Sequence, residues 1–196
     1  QLREIALPSG LSINYTEKGM VQLGLPNKEV LNLLLTPYAN EHRLKKSFAG
    51  EDKDVALRDF LSDHWAQQVE KFPSEGFNLL MAHLFVAKND STMEEEPDDE
   101  KPILHVGGAQ AIYSQNFPDD LGYVALGHLH RKQTVDASRF PIVYSGSPLS
   151  YSFSESNQQK YVKILETKGS ELIDNRSVEL QSGKRLLKYH AESVDD

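Results

Sequence analysis

In "LGYVALGHLHRKQ" (121–133) an apolar run ends on two histidines one leucine apart, His128 and His130, followed at once by Arg131 and Lys132. Side chains alternate along a strand, so residues i and i+2 share a face. The spacing therefore predicts both imidazoles on one side of a strand end, with Leu129 packed away from them. Gly127 has no side chain and admits close approach by an ion or another backbone. Neutral imidazoles are good donors to borderline divalent ions. The same pattern also fits a packing accident or a proton relay, and the spacing alone leaves the three open.

A third imidazole bears on the choice. His83 is the one strongly polar side chain in "LLMAHLFV", near the C-terminal end of an apolar strand. A histidine there can be a satisfied core residue. Ligand sites of α/β sheets, however, form just outside the carboxyl ends of strands. On that reading His83, His128 and His130 converge from two strands on one crevice as metal ligands. In "YSGSP" (144–148), Gly146 between Ser145 and Ser147 permits a turn whose backbone N–H groups and hydroxyls suit phosphate oxygens. A plain β-turn explains the same letters. Arg131 and Lys132 suit either a phosphate backbone or a solvated strand end. His42, His64, His105 and His190 fall on loops, a helix face or the tail and are given no role.

The elements that must position these groups are legible in outline. "REIALPSGLSINYTEKGMVQLGLP" reads as short strands separated by Pro-Ser-Gly and Glu-Lys-Gly turns. "VLNLLLTPY" (30–38) and "FNLLMAHLFV" (77–86) are apolar runs expected to form strands buried on both faces. Between them Val55, Leu57, Phe60, Leu61, Trp65, Val69 and Phe72 recur near a helical period over 54–72. Asp54 is the expected N-cap, and "PSEG" is the stop. Strand, helix, strand makes a right-handed βαβ unit, so part of the sheet is expected to be parallel. "HVGGAQAIYSQNFP" (105–118) reads as a Gly-rich turn into a short helix. The runs "KYVKILET" and "ELIDNRSVEL", joined around Lys-Gly-Ser, read as a hairpin. The organisation is one domain over 1–182, with a mobile acidic loop near 87–101, and a polar tail or the start of a further domain over 183–196.

At 196 residues and 39% hydrophobic composition the chain can bury a real core. No stretch approaches the ~20 apolar residues of a membrane span. The absence of cysteine excludes disulfides, thiolate metal sites and a cysteine nucleophile, and it fits a reducing compartment, with the cytoplasm as the expected location. The net charge of −8 argues against holding nucleic acid by bulk positive charge. Yet "MEEEPDDE" (93–100) concentrates much of that charge, and without it the balance is close to neutral. The first residue is Gln, and the chain is expected to begin downstream of its gene's start.

Taken in order, "MAH" on a strand, "GHLH" and "SGSP" resemble the second half of the calcineurin-like metallophosphoesterase core. The longer run from "VGGAQAIYSQNFP" through Gly127–His130 and Gly146–Pro148 to Ser152–Phe153–Ser154–Glu155 is similar to the SbcD-type nuclease subunits within that superfamily. The likeness spans most of residues 30–165. It implies an α/β fold, a metallophosphoesterase-like sandwich of mixed β-sheets flanked by helices, present here as a partial core. It implies two divalent metal ions, manganese above all, with His83 and His128 on one and His130 on the other, and hydrolysis of DNA phosphodiester bonds. Ser145, Gly146, Ser147 and Arg131 become candidate substrate contacts. The implied partners are DNA, an SbcC-like coiled-coil ATPase and a second copy of the chain in a homodimer, with no membrane.

The sequence departs from that family in its first-half motifs. Asp-x-His, the bridging Gly-Asp and Gly-Asn-His are not found. Three neutral imidazoles do not balance two adjacent dications, and no acidic residue is expected at a strand end. The isolated chain is therefore expected to be inactive, with no catalytic residue of its own. Two rival readings keep the same fold: a metallophosphoesterase acting on small phosphoesters or nucleotides, and a non-catalytic scaffold.

Overall fold

The structure, a computed structural model, describes residues 3–6, 10–15, 19–37, 53–89, 112–183 and 186–187. Most of the acidic loop expected near 87–101, the Gly-rich segment 105–111, most of the tail beyond 183, and His42, His105 and His190 lie outside the described residues.

Strands β1 (Arg3–Ala6), β2 (Ser12–Tyr15), β3 (Met20–Gly24) and β4 (Val30–Thr36) form an antiparallel meander. Helix α1 (Lys53–Val69) then crosses to β5 (Phe77–His83), which pairs parallel to β4. Strand β8 (Tyr123–Gly127) lies parallel beside β5, and β10 (Ile142–Tyr144) parallel beside β8. An antiparallel strand, β9 (Gln133–Asp136), closes the edge. The result is one mixed eight-stranded sheet in the order β1-β2-β3-β4-β5-β8-β10-β9. Two short strands, β6 (Val86–Ala87) and β7 (Ile112–Tyr113), pair separately, and β11 (Lys160–Lys168) and β12 (Glu171–Leu180) form the expected hairpin. The parallel βαβ unit is as its alternating pattern required.

Each face of the parallel region has its own cover. Leu34, Leu80, Ala82, Val124, Leu126, Ile142 and Tyr144 pack under α1 through Leu57, Leu61, Trp65 and Val69. The alternate residues Phe77, Leu79, Tyr123 and Val143 meet Leu165 and Leu172 of the hairpin. Each large side chain removed from water contributes about 1.5–3 kcal/mol. Trp65 also donates its indole N–H to the Thr36 hydroxyl at 2.9 Å and stacks on Phe117 with ring centroids 4.8 Å apart, which fixes the helix against the end of β4. Among the described residues no helix is long and apolar enough to cross a membrane.

Several expectations need correction. β4 and β5 are not buried throughout: Leu35 and Met81 are 39% and 45% exposed, because the hairpin covers only part of that face. Asp54 stands inside the first turn of α1, one residue after its start, rather than at the cap. Val55 points away from the apolar stripe into solvent. The run 77–86 is broken after His83, and its end forms β6. The short helix before β8 is a single 3₁₀ turn, Ser114–Asn116, which follows β7 directly. β8 stops at Gly127, so His128 and His130 lie in the loop beyond the strand and are not alternate residues within it.

Candidate metal centre

The register of the parallel strands sets the location. His83, the last residue of β5, is opposite Gly127, the last residue of β8. A Cβ built on Gly127 would stand 3.0 Å from His83 Nδ1, so the glycine makes room for that ring. The chain leaves β8 with His128 at φ 111°, a left-handed conformation uncommon for a side chain without special local support. That bend places the His128 ring edge-on to His83, centroids 5.4 Å apart, with Phe85 at 6.5 Å. Leu129 follows into the core beneath α1. Loop geometry, rather than strand alternation, therefore brings the first two imidazoles together at the carboxyl edge of the sheet.

His130 is held differently. Its Nδ1 lies 2.9 Å from Glu155 Oε1, and its ring centroid is 5.4 Å from that of Tyr151. Glu155 is 1% exposed in the 3₁₀ turn Phe153–Glu155, and Lys160, which opens β11, is 8% exposed. Lys160 donates to Glu155 Oε2 and to the Ser147 hydroxyl at 2.8 Å, and its Nζ also lies 3.3 Å from the His130 carbonyl and 3.1 Å from Gln158 Oε1. Burial opposes ionisation of Glu155, but the hydrogen bonds from Lys160 and His130 and the Lys160 charge outweigh it and hold the carboxyl below its ordinary pKa. The His130 carbonyl also accepts the Ser147 N–H at 3.1 Å. Gly146 closes this turn at φ 83°, and a Cβ there would meet the His130 carbonyl oxygen at 2.8 Å. The Ser147 hydroxyl donates to the Leu149 carbonyl at 2.8 Å, so Ser147 serves the turn. Ser145 is half-buried and Arg131 is exposed, while Lys132 lies over the Tyr161 ring at 3.6 Å.

The contacts form two constellations, the His83–His128 pair and the His130–Glu155–Lys160 network. Among the described residues no group of three or more His, Cys, Asp and Glu is arranged to hold a metal ion. The imidazole pair, at strand ends and against a glycine, suits one side of a coordination sphere for a borderline divalent ion. It is a partial donor set. Beside His130 the acidic residue is Glu155, which comes from a 3₁₀ turn ahead of β11 and not from a strand end. Neither burial nor periodicity marks that residue in the sequence. The one available signal was its place at the end of "SF-x-E".

A large mixed sheet with a parallel centre, few helices and histidines at its carboxyl edge is the mixed α/β architecture of a partial metallophosphoesterase-like fold. No family model matches the chain. Among curated proteins it is 35% identical to the SbcD subunit of the SbcCD nuclease of Bacillus subtilis over 184 residues, 91% of this chain and 46% of that protein. It is 29% identical to the SbcD subunit from Staphylococcus epidermidis over 151 residues and 27% to that of Escherichia coli K12 over 143, covering 37% and 34% of those proteins. The chain is thus SbcD-like over a partial span, about half the length or less of the curated relatives it matches.

Proposed function

We propose that the chain is part of an SbcD-type, metal-dependent DNA nuclease subunit that hydrolyses phosphodiester bonds with two divalent ions, manganese in the first instance. The observation that carries this reading is the His83–His128 pair at the carboxyl edge of parallel strands, in a chain 35% identical to the SbcD subunit of an SbcCD nuclease. His83 and His128 would hold one ion and His130 the other, and the two constellations suit that division. Bound ions supply the Lewis acidity and water activation that hydrolysis at phosphorus requires. The chain's own groups orient the imidazoles: Gly127 admits the His83 ring, and Glu155 with Lys160 anchors His130. Arg131 and Ser145, beside His130 and after β10, are the proposed substrate contacts, with Gly146 and Ser147 shaping the turn. The remaining charge compensation for two dications would come from carboxylates beyond this span. An SbcC-like coiled-coil ATPase and a second copy of the subunit are the proposed partners, in the cytoplasm.

The test uses the protein as its gene encodes it, beside the isolated 196-residue chain. The full protein is expected to cleave duplex DNA with manganese and to lose most of that activity on H83A or H128A, while the isolated chain stays inactive. Turnover of p-nitrophenyl phosphate without DNA cleavage would favour a small-phosphoester enzyme. A full protein that binds no transition metal would favour the scaffold.

A further inference from the structure

We infer that Glu155 is a positioning residue that fixes His130 in a single tautomer, with its proton on Nδ1 and its lone pair on Nε2. The inference rests on the metal reading above only for its use; the tautomer follows from this chain's hydrogen bonds.

Glu155 is a buried carboxylate surrounded by donors. Its Oε2 receives Lys160 Nζ, and its Oε1 faces both the Tyr151 backbone N–H at 3.4 Å and His130 Nδ1 at 2.9 Å. An ammonium and a peptide N–H can only donate. A carboxylate so placed is an acceptor on both oxygens, so the His130 contact needs its proton on the imidazole. In a neutral ring the other nitrogen, Nε2, then carries the lone pair, which is the form a metal ion or a proton in transit requires.

The same network fixes the ring's backbone as well. Lys160 lies close to the His130 carbonyl, and the Ser147 N–H donates to it. One buried ion pair therefore restrains His130 at both ends, through Nδ1 and through its carbonyl oxygen. A buried pair of this kind is a doubtful source of stability, since well-packed apolar residues often serve as well. Orientation is what an apolar pair would not reproduce. The His130 side chain is 28% exposed while its carboxylate partner is 1% exposed, so the anchored edge of the ring is inside and the remainder reaches solvent.

The experiment has a metal-free arm and a metal arm. Long-range proton–nitrogen spectra of the 196-residue chain, without metal, are expected to show His130 with Nδ1 protonated and Nε2 unprotonated. E155L/K160M removes both buried charges together and keeps the volume, and thermal melting verifies that it folds. In that variant the Nδ1–H preference should disappear. E155Q/K160M retains a side-chain oxygen as acceptor and should restore it. In the full protein, the leucine variant should bind Mn²⁺ about 10–100-fold more weakly, and the glutamine variant should recover most of that loss. Wild-type His130 protonated on Nε2, or the Nδ1–H form persisting in folded E155L/K160M, would overturn the inference. The expected tautomers with no Mn²⁺ binding by wild type would overturn the metal reading and leave the role of Glu155 as orienter standing.

Discussion

At the scale of single residues, His128 carries the sharpest conflict between fold and site. A side chain held at φ 111° costs on the order of 1–3 kcal/mol, which the surrounding structure must supply. Glycine would accept that backbone without the steric penalty. His128→Gly is therefore expected to keep or raise the melting temperature while removing one imidazole of the pair and with it metal binding at His83. Differential scanning calorimetry beside metal titration checks this; a clear fall in melting temperature would mean that the ring contributes more to packing than to a site. The sequence disclosed that His83 and His128 belong together, because both end apolar runs. It did not disclose how, since the strand stops one residue early and a bend at His128, not alternation, aims the ring. Glu155 was hidden for a different reason: a buried carboxylate is defined by its partners, and His130 is distant from it in sequence.

At the scale of elements, α1 depends on Trp65 more than on any cap. The ring is fully buried, stacks on Phe117 and donates to Thr36, so it joins the helix to both the end of β4 and the segment before β8. Trp65→Ala should cost about 3–5 kcal/mol, measured as a lower urea midpoint with little change in its slope. The helix, β4, β5, β8 and the hairpin were all legible, because each is an apolar or helically spaced run bounded by Gly, Pro or a polar turn. β9 was not: "QTVD" is four residues long, has one apolar member and is a strand only because β10 supplies its partner. β6 and β7 are two residues each and owe their existence to mutual pairing. Exposure of Leu35 and Met81 was equally beyond reach, since an apolar run does not reveal how far its covering hairpin extends.

At the scale of the whole molecule, resistance to acid should have a specific component at the β9 edge. Burial raises the pKa of Asp136, but hydrogen bonds from the Ser114 hydroxyl, from the backbone and side chain of Ser138 and from the Ala137 N–H more than offset it, bringing the pKa to about 2. Lys88 stands 3.6 Å away. A carboxyl depressed on folding stabilises the native state fully above its ordinary value of 3.8 and ceases to do so as pH falls towards 2. Wild type should therefore exceed Asp136→Asn in stability near neutrality, with the gap closing across that interval in acid unfolding curves. A gap that stays constant over the interval would show that Asp136 acts through shape and not through charge.

The order in which the centre is completed during synthesis follows from how His130 is tied. The first imidazole pair needs only β5, β8 and the bend that follows them, so a nascent chain carries both of its members once His128 has left the ribosome. His130 waits longer: its carbonyl contact with Lys160 spans 30 residues, and Glu155 lies just ahead of that lysine. Of the two halves of the centre, the one that depends on a buried charge pair is the last to be completed during synthesis. A stop codon between His130 and Glu155 would release a polypeptide with every histidine of the candidate site in place and one of them without its anchor.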